Sequence, residues 1–279
     1  MAGSAPAPKI YLKSKRAPAV GGSAKTFAEK MSRQTLAKEG DAATKALDDA
    51  REFAESGSYA EALERHEWFH ENALAVRPSL GGVRLSFALR AWKRLGDNYP
   101  PALVSLKAIR DDGLKALSSG EATRETFGDV SSINRALGED ESTIRTFEML
   151  RERHPELATK CFSWIQDLLL AKNESEIFLS CVGDMVSFMK RQIDRHQDIA
   201  GETKARKDTQ HASLLKHRDN KLVDTTLQLI RIARKEGDSS SAKKVRDMTV
   251  EVVDDPRLAL PGMSSNPVQK TDGESGPRD

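Results

Sequence analysis

The sequence predicts an all-α fold in which antiparallel helical hairpins follow one another along the chain. Between residues 26 and 254, apolar side chains recur at three- and four-residue steps, the period of a helix with one buried face. No stretch shows the sustained two-residue alternation and β-branched enrichment of a strand. Glycine or proline stands near the ends of the helical stretches, as at helix termini in general.

Composition limits the class of partner. The chain has 279 residues with 44 basic and 42 acidic side chains, a formal net charge of +2. This balance gives no overall attraction to phosphate or to an anionic membrane surface, so neither nucleic acid nor a membrane is the expected partner. No run approaches the roughly 18 apolar residues of a membrane span, and two cysteines do not make a disulfide scaffold. We therefore expect a soluble, cytoplasmic protein.

The two ends differ in composition from the middle. Residues 1–25 combine small residues and proline with lysine and arginine, and residues 257–279 contain three prolines and three glycines. Segments with so few large apolar side chains bury too little area to offset their ordering entropy. The sequence predicts a disordered basic tail over 1–25, a helical domain over 26–256 and a second disordered tail over 257–279.

The first predicted hairpin covers residues 43–78. A helix with Leu47, Ala50, Phe53 and Ala54 on its apolar face runs into Gly57-Ser58-Tyr59. A second helix begins near residue 60 and ends before Pro78. Such a hairpin needs a small residue at the turn, an aromatic wedge between the helices and a proline that stops the second helix.

This hairpin resembles the tetratricopeptide repeat family. Gly57, Tyr59, Ala62 and Leu63 match the family's G-x-Y-x-x-A-[LI] turn, while Pro78 falls about one helical turn later than the family spacing implies. The resemblance implies helical hairpins stacked as an α-solenoid, either a right-handed superhelix or a compact array, that binds another protein or peptide without a cofactor. Leu47 and Arg51 take positions that the family's carboxylate clamp fills with lysine and asparagine, so a chaperone-tail peptide is not the implied ligand.

Residues 81–118 are predicted as the second hairpin. Apolar residues over 83–95, with Phe87 and Trp92 among them, form a helical stripe that we expect to stop at Gly96. Pro100 and Pro101 suit the opening of the next helix. Residues 92–99 also fit the family's W-x-x-L-G-x-x-Y string, but the two prolines that follow break the helix that this string needs, so we interpret Trp92 as core and Tyr99 as a loop anchor.

Three further hairpins are predicted at 121–155, 157–198 and 221–254. Gly138 and Gly237 are the expected turns of the first and last of these, with Pro155 and Pro256 as helix stops. Residues 174–198 carry one apolar stripe at helical spacing and are predicted as a single long helix. Residues 199–210 are predicted as a loop between hairpins.

One motif suggests catalysis. His66 and His70 stand four residues apart with Glu67 between them, the HExxH pattern in which two histidines ligate zinc and the glutamate acts as general base. Arg65 and Glu71 place charges on both sides of the motif, where zinc peptidases keep uncharged residues. The metzincin continuation is also absent, and no third zinc ligand is evident.

The same residues have a structural interpretation. Tyr59, Ala62, His66, Phe69 and Ala73 form a three- and four-residue stripe that would face the preceding helix, with Glu67 and His70 beside or outside it. We therefore assign no catalytic, cofactor-binding or metal-binding residue, and keep His66, His70 and Glu67 as the zinc candidates of the alternative hypothesis.

The remaining chemistry-bearing residues give no site. Cys161 and Cys181 lie on successive predicted helices and are expected to be buried free thiols, with no reason to place His154 or His196 beside them. Residues 190–221 hold nine basic and five acidic side chains without an aromatic, which favours a solvated connector over nucleic-acid binding, and His211 and His217 are expected in solvent.

The sequence therefore favours a non-catalytic interaction module, scaffold or adaptor whose partner is another protein or peptide. A zinc-dependent hydrolase centred on His66, Glu67 and His70 is the alternative from a different class. A purely structural or self-associating helical protein is a third hypothesis, and the oligomeric state is left open.

Overall fold

The computed structural model describes residues 42–204 and 209–259, with the side chains of 202–211 excepted. The predicted tail over 1–25 and most of that over 257–279 lie outside these residues. The chain divides into two compact units, Met1–Ile109 and Arg110–Asp279. Within the described ranges the structure is helical throughout, with no strand, and contains no helix long and apolar enough to span a bilayer.

The helices of the first unit follow directly upon one another. They are α1 (42–56), α2 (Tyr59–Val76), a 3-10 turn (Pro78–Leu80), α3 (Gly81–Val83), a π-helical turn (Arg84–Ala88), α4 (Leu89–Asn98) and α5 (Pro100–Ser119), which continues into the second unit. The second unit adds α6 (Arg124–Leu137), α7 (Asp140–Arg153), α8 (Pro155–Ala171), α9 (Ser175–Val182), α10 (Met185–Lys204), α11 (Thr209–Lys235), α12 (Ser239–Val250) and a 3-10 turn (Pro256–Leu258).

Four helix-to-helix turns share one backbone geometry. Each contains a residue with positive φ: Gly57 (84°), Gly138 (76°), Asn173 (59°) and Gly237 (74°). In every case this residue donates to the carbonyl three residues earlier, and the next residue donates to the carbonyl five residues earlier at 2.8 or 2.9 Å. These paired bonds are the Schellman motif, which satisfies the last carbonyls of a helix and favours glycine. The turns predicted at Gly57, Gly138 and Gly237 are confirmed.

A second type of connection uses proline. Arg77, Tyr99 and His154 each precede a proline and have φ between −133° and −148°. The N–H of each donates to the carbonyl four residues earlier at 2.8 Å, closing the preceding helix, while the proline opens the next element. Because proline disfavours the helical conformation at the residue before it, these boundaries depend on local sequence. The predicted opening of a helix at Pro100 is confirmed.

The core of the second unit runs through five phenylalanines. Phe127, Phe147, Phe162, Phe178 and Phe188 contact one another in sequence order, with ring centroids 5.2 to 6.5 Å apart. They lie on α6 to α10 in turn, so each helix is joined to its successor by one aromatic contact. Next-but-one helices also touch, α6 with α8 and α10 with α12, and α8 contacts α11 as well. Aromatic pairs of this geometry add to the burial of their apolar area.

One core cluster of the first unit is small and rich in alanine. Ala43 and Ala46 of α1 pack with Phe69 and Ala73 of α2 and with Ala88, all of them buried. Side chains this small let the helices approach closely, and Phe69 is the largest buried side chain of this cluster. The predicted apolar stripe on α2 is therefore confirmed.

Two predicted helix boundaries are wrong. Gly96 does not stop the helix over 83–95, because α4 continues to Asn98 and ends before Pro100. A Cβ on Gly96 would lie 2.3 Å from Leu103 Cγ, so glycine is needed there for close packing and not as a cap. The single helix predicted over 174–198 is broken between α9 and α10 at Gly183, whose φ is 68°, and Asp184 then accepts a bond from Ser187 N at 2.7 Å.

The loop predicted over 199–210 is also wrong in most of its length. Helix α10 continues to Lys204 and α11 begins at Thr209, so only 205–208 fall outside the described residues. At the other end of the last hairpin, α12 ends at Val250, before the predicted stop at Pro256. Residues 257–259 belong to the described part of the chain, and Leu258 is buried.

Candidate functional site

The two histidines of the HExxH motif both contact one tryptophan. His66 stacks on Trp92 with ring centroids 5.8 Å apart, and His70 meets the same ring edge-on at 6.0 Å. All three side chains are buried. Trp92 is held in turn by a 3.0 Å bond from its Nε1 to the carbonyl of Ala102. The predicted core position of Trp92 is confirmed, and α4 covers the face of α2 that carries both histidines.

His70 is bound by a buried arginine. Arg84 donates from Nε to the His70 carbonyl at 2.7 Å, and its Nη2 lies 3.0 Å from His70 Nε2. A guanidinium only donates, so Nε2 is the accepting nitrogen and the ring proton is on Nδ1. The expectation that His70 lies outside the buried stripe is wrong, because Arg84 and Trp92 cover it. A metal ion at Nε2 would have to displace this cation.

The Glu67 side chain is directed towards α5 and is bound there. Ser105 of α5 donates to Glu67 Oε1 across the first unit. The described residues contain no group of three histidine, cysteine or acidic side chains placed to hold a metal ion. The three motif residues therefore have three different sets of neighbours, and the structure does not bring them together as a zinc site.

His66 differs from its neighbours because its Nδ1 is buried without a hydrogen-bond partner. Burial, and to a smaller extent the nearby positive charge of Arg94, together lower the pKa of His66 to about 4. At neutral pH the ring is therefore uncharged. A buried nitrogen with no partner costs free energy, about 1 to 3 kcal/mol in typical cases, and this site is where a bound group would relieve it.

His66 lies at the wall of a groove in the first unit, between α1, the start of α2, and the π turn with α4. The groove has a volume of about 730 Å³. Its apolar lining comes from small and aliphatic residues and two aromatics: Leu47, Ala50, Ala54, Tyr59, Phe87, Ala88, Ala91 and Leu95. A cleft of this volume is typical of binding sites, and the other seven lining residues are polar or charged: Asp48, Arg51, Glu55, His66, Arg90, Arg94 and Asn98.

Phe87 stands at this groove with 68% of its surface exposed. The apolar stripe over 83–95 predicts a buried position for it, and that expectation is wrong. The buried face of this segment passes through Arg84, Ala88 and Trp92, so Phe87 falls to one side, on the π turn. π turns are uncommon and often occur at functional sites. The guanidinium of Arg90 lies 4.7 Å from the Phe87 ring centre, in cation–π geometry.

The two walls of the groove, on α1 and on α4, carry different charges. On α1, Arg51 pairs with Asp48 at 3.5 Å, and Glu55 adds a negative charge. On α4, Arg90 and Arg94 are exposed, one helical turn apart. Neither forms an ion pair with a carboxylate among the described residues. The α4 wall is thus positive and uncompensated.

Sequence reasoning missed Phe87, Arg90 and Arg94 as site residues. A signal was present, since Arg90 and Arg94 are spaced four residues apart and therefore share a helix face beside the buried stripe. The π turn that exposes Phe87 has no comparable sequence signature.

The second unit accounts for the other candidate residues. Cys161 is buried, and burial raises the pKa of its thiol to about 11, whereas the prediction of a buried thiol is wrong for Cys181, which is exposed. His154 contacts the Ser118 carbonyl at 3.2 Å and His196 contacts Asp219 at 3.2 Å. His217 is exposed, as expected, and the side chain of His211 lies outside the described residues.

The basic stretch over 190–221 forms parts of α10 and α11. It lines a recess of about 390 Å³ with α8, where Lys221 pairs with Asp167 at 2.7 Å. The expected connector is therefore mostly helix, and part of its charge is already paired.

No protein-family model, curated protein or solved structure matches this chain.

Proposed function

We propose that this chain is a non-catalytic protein-interaction module, a scaffold or adaptor, in which the groove of the first unit binds a peptide segment of a partner protein. The observation that carries the proposal is the groove itself, where a buried, unpartnered His66 Nδ1 lies beside an apolar lining of about 730 Å³. A groove whose lining combines apolar and charged side chains fits a peptide that inserts apolar side chains and makes polar contacts with the charged ones.

The tetratricopeptide-like arrangement is part of the same proposal. It is supported by the four Schellman turns, each followed five residues later by a buried side chain at the start of the second helix: Ala62, Thr143, Phe178 and Ala242. Contacts between consecutive and next-but-one helices in the second unit also suit stacked hairpins. Arrays of this kind present grooves to extended or helical segments, and we infer the interaction role from this analogy together with the groove.

The zinc-dependent hydrolase is the less favoured hypothesis. Arg84 donates to His70 Nε2, and Glu67 accepts from Ser105, so each motif residue is already engaged or turned away from the others. Elemental analysis of protein purified without a polyhistidine tag tests this directly. We expect less than about 0.1 equivalent of zinc, since a catalytic site needs three protein ligands. One bound equivalent, lost in a His66→Phe variant, would favour the hydrolase.

The interaction proposal is tested with selected peptides. Random 12-residue peptides displayed on phage are selected on the full chain, and the enriched sequences are synthesised and measured by fluorescence anisotropy. Ala91→Trp fills the groove, because Ala91 lines it, whereas Ala75→Trp places the same side chain on an exposed position of α2. We expect Ala91→Trp to weaken binding by about tenfold or more, which corresponds to about 1.4 kcal/mol, and Ala75→Trp to leave it unchanged.

Circular dichroism and thermal melting establish that both variants fold. Equal binding by the parent and Ala91→Trp would contradict the groove as the binding site. If selection on the parent enriches no peptide beyond those enriched by selection on Ala91→Trp, the proposed function itself is contradicted.

A further inference from the structure

We propose that the groove of the first unit recognises a partner segment carrying an acidic side chain, whose carboxylate is bound by Arg90 and Arg94 at the end of an apolar contact with α1 and α4. This inference rests on the proposed function and specifies the chemistry of the partner.

The α4 wall supplies the charge. Arg90 and Arg94 both line the groove on one helix face, and no described carboxylate is paired with either. The opposite wall differs, because Arg51 is engaged with Asp48 at 3.5 Å. Two guanidinium groups one helical turn apart make a site to which a carboxylate binds through charge-assisted hydrogen bonds. Charges at the rim of a binding site favour partners that carry the opposite charge.

His66 supplies a neutral hydrogen-bonding group beside this pair. Its ring is fixed by stacking on Trp92, and its Nδ1 is buried without a partner. Arg94 is close enough that its charge acts on the imidazole. Introducing a carboxylate here compensates the guanidinium charge and gives the buried nitrogen a partner, so one ligand group satisfies two unmet requirements of the site.

The apolar part of the partner follows from the remaining lining. Ala54 of α1 and Ala91 of α4 both line the groove with only methyl groups, which leaves room for larger aliphatic side chains from a partner. Phe87 at the rim adds an exposed ring that an apolar side chain can cover. The segment that fits is therefore apolar with one acidic residue directed to α4.

Charge argues against the chain's own N-terminal segment as occupant. Residues 1–41 contain eight basic and three acidic side chains, the same sign as the α4 wall. A basic segment placed there would bring like charges next to Arg90 and Arg94, which is unfavourable. A partner in trans with an acidic residue is the occupant that complements the wall.

The test compares the residues that selection enriches on matched charge variants. The same 12-residue phage library is selected in parallel on the full-length parent, on Arg94→Glu and on Arg145→Glu. Arg145 is an exposed residue of α7 in the second unit, so this control carries the same charge change away from the groove.

We expect parent and Arg145→Glu to enrich apolar peptides containing aspartate or glutamate, and Arg94→Glu to lose this preference or to enrich lysine and arginine. For a synthesised parent peptide, replacing its acidic residue by the amide should weaken binding about tenfold on the parent and less than about twofold on Arg94→Glu.

The outcomes separate this inference from the proposed function. Peptides that bind the groove without an acidic preference, or with a basic one, would overturn the inference and leave the interaction role standing. An acidic preference that persists unchanged in Arg94→Glu would overturn the assignment to this wall. Absence of any groove-dependent peptide would overturn both.

Discussion

Protonation of His66 should destabilise the first unit as the pH falls. The folded protein holds the imidazole buried beside Arg94, which lowers its pKa to about 4, whereas an unfolded chain has the ordinary histidine value of about 6.5. Between these values the unfolded state binds a proton that the folded state does not. Stability is therefore complete above pH 6.5, decreases as the pH falls toward 4, and does not change further from this group below it.

The size of the effect follows from the two pKa values. A difference of about 2.5 pH units corresponds to about 3 kcal/mol of unfolding free energy at full protonation. At pH 5 the loss is about 2 kcal/mol, because the unfolded histidine is already mostly charged while the folded one is still mostly neutral. This is a large fraction of the 5 to 15 kcal/mol that typically stabilises a domain.

The assay is urea unfolding of the parent and a His66→Phe variant from pH 7.5 to 4.5, followed by resolved NMR signals of the first unit. Phenylalanine keeps a ring to stack on Trp92 and removes the titrating group. Between pH 7.5 and 5, the free energy of unfolding of the variant should fall by about 2 kcal/mol less than that of the parent, whatever the variant's stability at neutral pH.

In parallel, NMR of the His66 ring gives its pKa directly. Arg94→Gln should raise that pKa without restoring the ordinary value, since burial is the larger cause.

Identical pH profiles in the parent and the His66→Phe variant would refute the linkage. A His66 pKa at or above 6.5 in the folded protein would contradict the buried, unpaired imidazole on which the site description depends.

Three substitutions and one control give further predictions, each checked by urea or thermal unfolding of the full chain. Gly96→Ala should destabilise by about 1 to 3 kcal/mol, because its Cβ would lie 2.3 Å from Leu103 Cγ, and a stabilising result would contradict that packing. Gly138→Ala should cost about 1 to 2 kcal/mol through its positive φ of 76°, whereas Gly201→Ala, in a helix with open space around it, should be neutral or stabilising by up to about 1 kcal/mol. Asp238→Ala removes the side-chain cap of α12 and should cost about 1 kcal/mol, so an unchanged midpoint would mean that this bond contributes nothing.

Sequence alone predicts the features of this fold that depend on neighbouring residues. The helical period is local because it repeats every three to four residues. The turn glycines are local because each turn depends on the φ of one residue, and the opening of a helix at Pro100 is local because the proline ring disfavours the helical conformation at the residue before it. Gly57, Gly138 and Gly237 are recognisable for that reason.

The errors arise where a contact distant in sequence decides. Gly96 has the composition of a helix stop, but it is a packing contact with Leu103 on the next helix. Gly183 breaks a helix in the middle of an uninterrupted apolar stripe, so periodicity gives no sign of it.

The candidate site was only partly predictable for the same reason. The sequence singles out His66 and His70 through a catalytic pattern, and their actual roles come from Trp92 and Arg84, which lie further along the chain. The exposure of Phe87 depends on a π turn, which no local residue pattern predicts.

The groove between α1 and α4 is the proposed binding surface of this chain. NMR chemical-shift mapping with a selected peptide on the isotope-labelled full chain tests it most directly. The largest shifts should fall on Ala54, His66, Phe87, Ala91 and Arg94, which line the groove. Shifts confined to residues 110–259, or spread over exposed positions of α2 such as Ala75, would contradict it.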